Sequence, residues 1–147
     1  LVNDHLQKDI YELLTADADL NTLLGGAGEA AKRVRWIHML PQQGDMAPFV
    51  VFVRSGWNED RSWKNFRHGT VLYKFYVYSR THDSDVLRNI LNRLHKVLDG
   101  AKRALSCAST SVAASMFVDG GPELYDEAAK AWLVDGTLEL VVEFQDA

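Results

Sequence analysis

The 147 residues carry 47% hydrophobic and 24% charged side chains and a net charge of -4. That composition belongs to a globular chain long enough to bury a core; it excludes a disordered one and gives no chain-wide attraction to nucleic-acid phosphates. A single cysteine, Cys107, excludes an internal disulfide and a multi-cysteine zinc site, and no apolar run approaches the roughly 20 residues of a membrane-spanning helix.

From the N-terminus, Asn3 or Asp4 caps a predicted helix whose Leu6, Ile10, Leu13 and Leu14 fall at helical spacing and form core. No signal-peptide pattern opens the chain, so export by that route is not expected. Residues 19–24 predict a second short helix ended by Gly25-Gly26. Gly25-Gly-Ala-Gly28 follows a helix rather than a strand and lacks the lysine of a phosphate loop, so it reads as a helix stop.

Residues 33–39 alternate and predict a half-buried strand, with Val34, Trp36 and His38 on one face and Arg35, Ile37 and Met39 on the other. Pro41 to Pro48 reads as a turn-rich loop. Residues 49–53 predict a strand buried on both faces. Residues 55–69 show no period and predict a long loop or hairpin tip. There Trp57, Arg61, Trp63, Lys64, Phe66 and Arg67 concentrate the side-chain types favoured at contact surfaces. Three roles are open for this cluster: a protein contact, base stacking with phosphate contacts, or packing beneath its own loop.

From Thr70 a strand places Val71, Tyr73, Phe75 and Val77 on one face and Leu72, Lys74, Tyr76 and Tyr78 on the other. Asp83 or Ser84 caps a helix over 84–98 with an apolar stripe of Val86, Leu87, Ile90, Leu91, Leu94, Val97 and Leu98. Arg88, Asn89, Asn92, Arg93, His95 and Lys96 are left to solvent, and Gly100 ends the helix. Residues 112–118 predict a strand, Asp119-Gly-Gly-Pro122 a turn, and the stretch to Lys130 is polar. A final strand covers 132–145, with Asp135-Gly136 expected as a bulge or kink rather than a hairpin turn. These elements predict an α+β fold in one domain over residues 1–147. It is a mostly antiparallel, twisted sheet of four to five strands packed by one main helix and the N-terminal helices.

Catalysis finds no support in these residues. The five histidines (His5, His38, His68, His82, His95) sit at no metal-ligand spacing, and Cys107 lies in Ser-Cys-Ala-Ser without nucleophile-elbow glycines. The carboxylate pairs Glu59-Asp60 and Asp126-Glu127 lie in polar surroundings that would not shift a pKa for acid–base work. Neither a cofactor nor a metal is expected.

Four segments carry a family resemblance: Ile10-Tyr-Glu-Leu-Leu-Thr-Ala-Asp-Ala-Asp-Leu20, Pro48-Phe-Val-Val-Phe-Val53, Phe75-Tyr-Val-Tyr-Ser79 running into the 86–98 helix, and Gly136-Thr-Leu-Glu-Leu-Val-Val-Glu-Phe144. In this order they resemble the tail-terminator, or tail-completion, proteins of long-tailed bacteriophages and related phage-like particles. Residues 57–67 are longer than the family pattern, and residues 123–130 lack a counterpart.

The resemblance implies a structural protein of the virion. It implies a ring, commonly of six subunits, that caps the head-proximal end of the tail tube, halts tube polymerisation and meets the head–tail connector. DNA would pass through the lumen without specific binding. The implied partners are copies of itself, the tube protein and the connector, with no membrane. Rival readings are a head–tail connector or stopper of the same particle, and a soluble ligand-binding domain whose aromatic cluster lines a pocket.

Overall fold

Leucine spacing builds the N-terminal region. In the computed structural model, which describes residues 5–35, 48–63, 66–81, 84–101, 105 and 110–145, helix α1 (His5–Thr15) buries Leu6, Ile10 and Leu14 along one stripe. The predicted caps Asn3, Asp4 and Asp83 lie outside the described residues, as does Cys107. Helix α2 (Ala18–Leu23) has Asp17 as its N-cap, the carboxylate accepting the Leu20 N–H at 2.9 Å. It closes on Gly25 and Gly26, whose φ angles of 131° and 135° favour glycine, and the Gly26 N–H returns to the Asn21 carbonyl at 2.8 Å. The glycine cluster is therefore a helix stop.

A four-residue helix, α3 (Ala30–Arg33), precedes the two-residue strand β1 (Val34–Arg35), so the strand predicted from Arg33 begins one residue later. Glu29 holds the Arg33 guanidinium at 3.1 Å, one helical turn away, which keeps Arg33 in the helix. Residues 36–47, the rest of that strand and most of the proline loop, lie outside the described residues. Asn21 ties the three helices together. Its amide donates to the Thr15 and Asp17 carbonyls at 3.0 and 2.9 Å, and its oxygen accepts the Ala30 N–H at 2.9 Å.

The chain then enters its sheet through strand β2 (Phe49–Trp63) and strand β3 (Phe66–Ser79), crosses on helix α4 (Ser84–Leu98), and returns through β4 (Thr110–Asp119), β5 (Leu124–Asp126) and β6 (Ala131–Gln145). The strand order is β1-β2-β3-β6-β4, with β5 also beside β6. β1 runs parallel to β2, and every other pairing is antiparallel. The fold is α+β with an open, twisted sheet, as expected, but with six strands rather than four to five. The sixth, β5, falls in the stretch read as polar, because three residues with exposed Leu124 and Tyr125 offer no alternation.

Residues 55–69 carry more regular structure than their composition suggested. Of the two expected forms, a long loop or a hairpin tip, the hairpin is the one found, its arms being paired strand: β2 runs on to Trp63 and β3 starts at Phe66, which lies opposite it. Register shifts leave Ser55 and Asp60 as extra residues in β2, and each shift exchanges the two faces, which erases the period of two. A correction applies at Asp135-Gly136. β6 pairs with β3 without a shift from Phe66↔Gln145 to Ser79↔Trp132, so there is no bulge. The glycine is there for packing: a Cβ at 136 would lie 2.5 Å from Phe117 Cζ and 3.3 Å from Leu91 Cδ1.

One face of the sheet carries the helices. Leu87, Ile90, Leu91, Leu94 and Leu98 of α4 are fully buried against Val50, Phe52, Val71, Tyr73, Phe75, Val77, Leu138 and Leu140. Burial of each such side chain stabilises by about 1.5–3 kcal/mol. A smaller cluster of Phe49, Val51, Tyr78, Ala129 and Ala131 lies on the other face, with Phe49 and Tyr78 stacked at 4.8 Å. Burial, then the neighbouring Asp126, pushes the Tyr78 phenol up to about 12.

Arg93, assigned to solvent from the helix pattern, instead reaches α2. Its Nε and one amino group donate to the two Asp17 oxygens at 2.8 and 2.6 Å, in a pair only 27% and 13% exposed. Those hydrogen bonds hold the Asp17 carboxyl below its ordinary value, against the desolvation that would raise it. Because the folded pKa is depressed, the stabilisation is fully present above about pH 4 and is lost as pH falls through the lower folded value. Asp17→Asn keeps a capping side chain but loses the charge. It should lower the unfolding free energy by about 1–2 kcal/mol at pH 7, and by progressively less as pH falls below about 4. Urea titrations at the two pH values check this; an equal loss at both would contradict it.

Candidate assembly surface

Of the six residues singled out by composition, one takes a place in the core. Trp57 lies opposite Val71 in register and packs, partly buried, against the main core. Arg61, Trp63, Phe66 and Arg67 lie at the hairpin end. There Arg61 pairs in register with His68, Ser62 with Arg67, and Trp63 with Phe66, while Lys64 lies outside the described residues. β6 continues alongside this end, with Phe66↔Gln145 and Arg67↔Phe144, and β4 begins there, opposite Phe144. The cationic and aromatic residues therefore mark one end of the sheet, where several strands finish together.

The open edges of the sheet were less visible in the sequence. At the centre of β4 the edge backbone is already engaged by the end of α4. The Gly100 N–H, at a φ of 73°, donates to the Ser115 carbonyl at 2.8 Å, and the Phe117 N–H donates to Asp99 Oδ1 at 3.0 Å. Ser115 Oγ closes the contact on the Leu98 carbonyl at 2.6 Å. These bonds occupy the groups an added strand would need at positions 115 and 117, so this part of the edge is blunted. Pro122, with no N–H, precedes the three-residue β5.

Side chains take over where the backbone is occupied. Met116, Val118, Leu124 and Tyr125 are the exposed large hydrophobics among the described residues, and all four lie on β4 and β5. Met116 and Val118 share one face and lie opposite Glu139 and Thr137, while Leu124 lies opposite Leu133. Farther in, Lys74 Nζ reaches Asp135 Oδ2 at 2.7 Å. The sequence signal for the patch is masked by an odd spacing. Val112 and Phe117 are both buried, because Ala113 is an extra residue that exchanges faces between them.

Titratable side chains approach one another near this edge. His95 lies 3.9 Å from Asp99 and 3.7 Å from Asp119, and Arg88 lies 3.8 Å from Glu123. Asp126 accepts the Ala128 and Ala129 N–H groups at 3.0 and 3.2 Å, which shapes the turn into β6. Among the described residues no group of three or more His, Cys, Asp or Glu side chains converges on a metal-sized site. No helix among them is long and apolar enough to cross a membrane.

Exposed apolar side chains beside charged ones, set along the edge of a sheet, are the kind of surface that a structural protein offers to other proteins. The family description "Tail completion protein gp17" matches residues 8–143, and the chain belongs to that family. Its role is accordingly structural, in the phage tail. Among solved structures it is similar to a chain of the virion of a native gene transfer agent particle. The TM-score is 0.69, with 93% of each chain covered at 17% identity, so the two share a fold. No curated protein matches the sequence. The resemblance carried by the Leu-Leu helix, the 48–53 strand, the 75–98 strand–helix unit and the last strand is thereby borne out.

Proposed function

We propose that the protein is a tail terminator. As one domain over residues 1–147, it forms a closed ring, commonly of six subunits, at the head-proximal end of the tail tube. The ring stops addition of tube protein, presents a surface to the head–tail connector, and leaves a lumen through which DNA passes without specific binding. Assembly takes place in the host cytoplasm. The observation that carries this reading is the family match over nearly the whole chain.

Two physical features support it. A ring needs two different complementary surfaces on each subunit, related by a rotation that closes, and this sheet ends in two dissimilar edges, β1–β2 and β4–β5. A net charge of -4 also suits a lumen that must not hold DNA. The hairpin end bearing Arg61, Trp63, Lys64, Phe66 and Arg67 serves as a partner contact, with Trp57 anchoring its base to the core.

Adding the purified protein to polymerising tube protein tests the proposal. Tube growth should stop, and electron microscopy should find extra density at one end of each tube. Tubes that keep growing with bare ends would refute it.

A further inference from the structure

We infer that subunits join through opposite edges of the sheet: the β4–β5 edge of one copy docks against the β1–β2 side of the next, a head-to-tail contact made by side chains rather than by strand addition. The inference rests on the self-assembly proposed above and names the surfaces that perform it.

Two observations define the donor edge. Met116, Val118 and Leu124, exposed by 50%, 50% and 57%, form an apolar strip on the face away from α4, and Tyr125, 45% exposed, lies on the opposite face of the same edge. The backbone beside it is engaged by the end of α4 at Ser115 and Phe117, so a neighbour meets side chains there.

Charge selects the occupant. Residues 110–130 hold four acids (Asp119, Glu123, Asp126, Glu127) against one base, Lys130. Asp119 and Glu127 are exposed. At the other end of the sheet the balance reverses. Residues 29–35 hold Lys32, Arg33 and Arg35 against Glu29, and Arg54 adds to them three residues beyond the part of β2 that pairs with β1, while Glu59, Asp60 and Arg61 fall farther along toward the hairpin end; Lys32, Arg35 and Arg54 are exposed. Two copies brought acidic edge to acidic edge would repel, whereas acidic edge to basic edge attracts, and the same contact repeats at each further copy. The apolar strip supplies the desolvated centre of the joint and the charges supply its rim. The hairpin end lies at the ends of the strands, beyond the residues of β2 that pair with β1, and is left for the tube or the connector.

A charge-exchange experiment tests this. One variant carries Asp119→Lys and Glu127→Lys; the other carries Arg35→Glu and Arg54→Glu. All four positions are exposed, and circular dichroism with thermal melting verifies that each variant folds. Each alone should associate at least about tenfold more weakly than wild type in analytical ultracentrifugation, while an equimolar mixture should recover association, because every joint then pairs a basic edge with an acidic one. A Met116→Glu and Val118→Glu variant should also lose association.

Wild-type assembly unaffected by all of these substitutions would overturn the inference and leave the ring proposal standing. Loss in the first variant alone, with the second associating as wild type does, would also overturn it, since a joint indifferent to Arg35 and Arg54 does not use the β1–β2 side. Wild type that stops tube growth while remaining monomeric on the tube would overturn the inference together with the ring, but not the terminator role.

Discussion

Phe75→Ala lowers the unfolding free energy by about 3–5 kcal/mol, a large share of the roughly 5–15 kcal/mol that holds a domain folded. Phe75 is fully buried in the middle of β3. Its ring stacks on Phe52 with centroids 5.1 Å apart and meets Phe117 edge-on at 5.7 Å. Truncation removes the transfer free energy of the ring and leaves a void, and the void cannot close easily from the β6 side. The residue opposite Phe75 there is Gly136, which has no side chain to lean in. Urea unfolding followed by circular dichroism measures the loss; a change below about 1 kcal/mol would show that the three rings are not the centre of the core.

Gly136→Val should be nearly as damaging for the opposite reason, at about 3 kcal/mol. The new Cβ would lie 2.5 and 2.7 Å from Phe117 ring atoms, a distance that forces something to move. Phe117 is 2% exposed and wedged between Phe75 and His95, so its ring has no open direction to take. Leu91 of α4, 3.3 Å from the same Cβ, must yield too, which would lift the helix from the sheet. Gly121→Ala is the control. Its Cβ would meet nothing within 4 Å, so its effect should stay within about 0.5 kcal/mol. Equal melting temperatures for Gly136→Val and wild type would contradict the close packing described here.

Elements whose period survives unbroken were legible in the sequence. The α4 stripe has its predicted bounds, and the alternation from Val71 to Val77 places the side chains where expected because β3 runs there without a bulge. Where single extra residues enter the strands, at Ser55, Asp60 and Ala113, the period is scrambled, and the long hairpin and the β4 patch disappear from view. The Arg93–Asp17 pair was hidden for another reason. Its partners are 76 residues apart, and helix periodicity alone puts Arg93 on the solvent side. The candidate surface was half legible. The aromatic and cationic composition around Trp63 was visible, but the role of Trp57 in core packing depends on the hairpin register, and the charge reversal between sheet edges depends on a strand order no local pattern reveals.

Cryo-electron microscopy of tail tubes bound by this protein decides between ring and non-ring assembly. A closed ring should appear at one end of the tube, with the β4–β5 edge of every subunit against the β1–β2 side of the next and a continuous opening along the axis. Isolated copies scattered along the tube wall, or two-fold pairs joined through identical edges, would contradict this prediction.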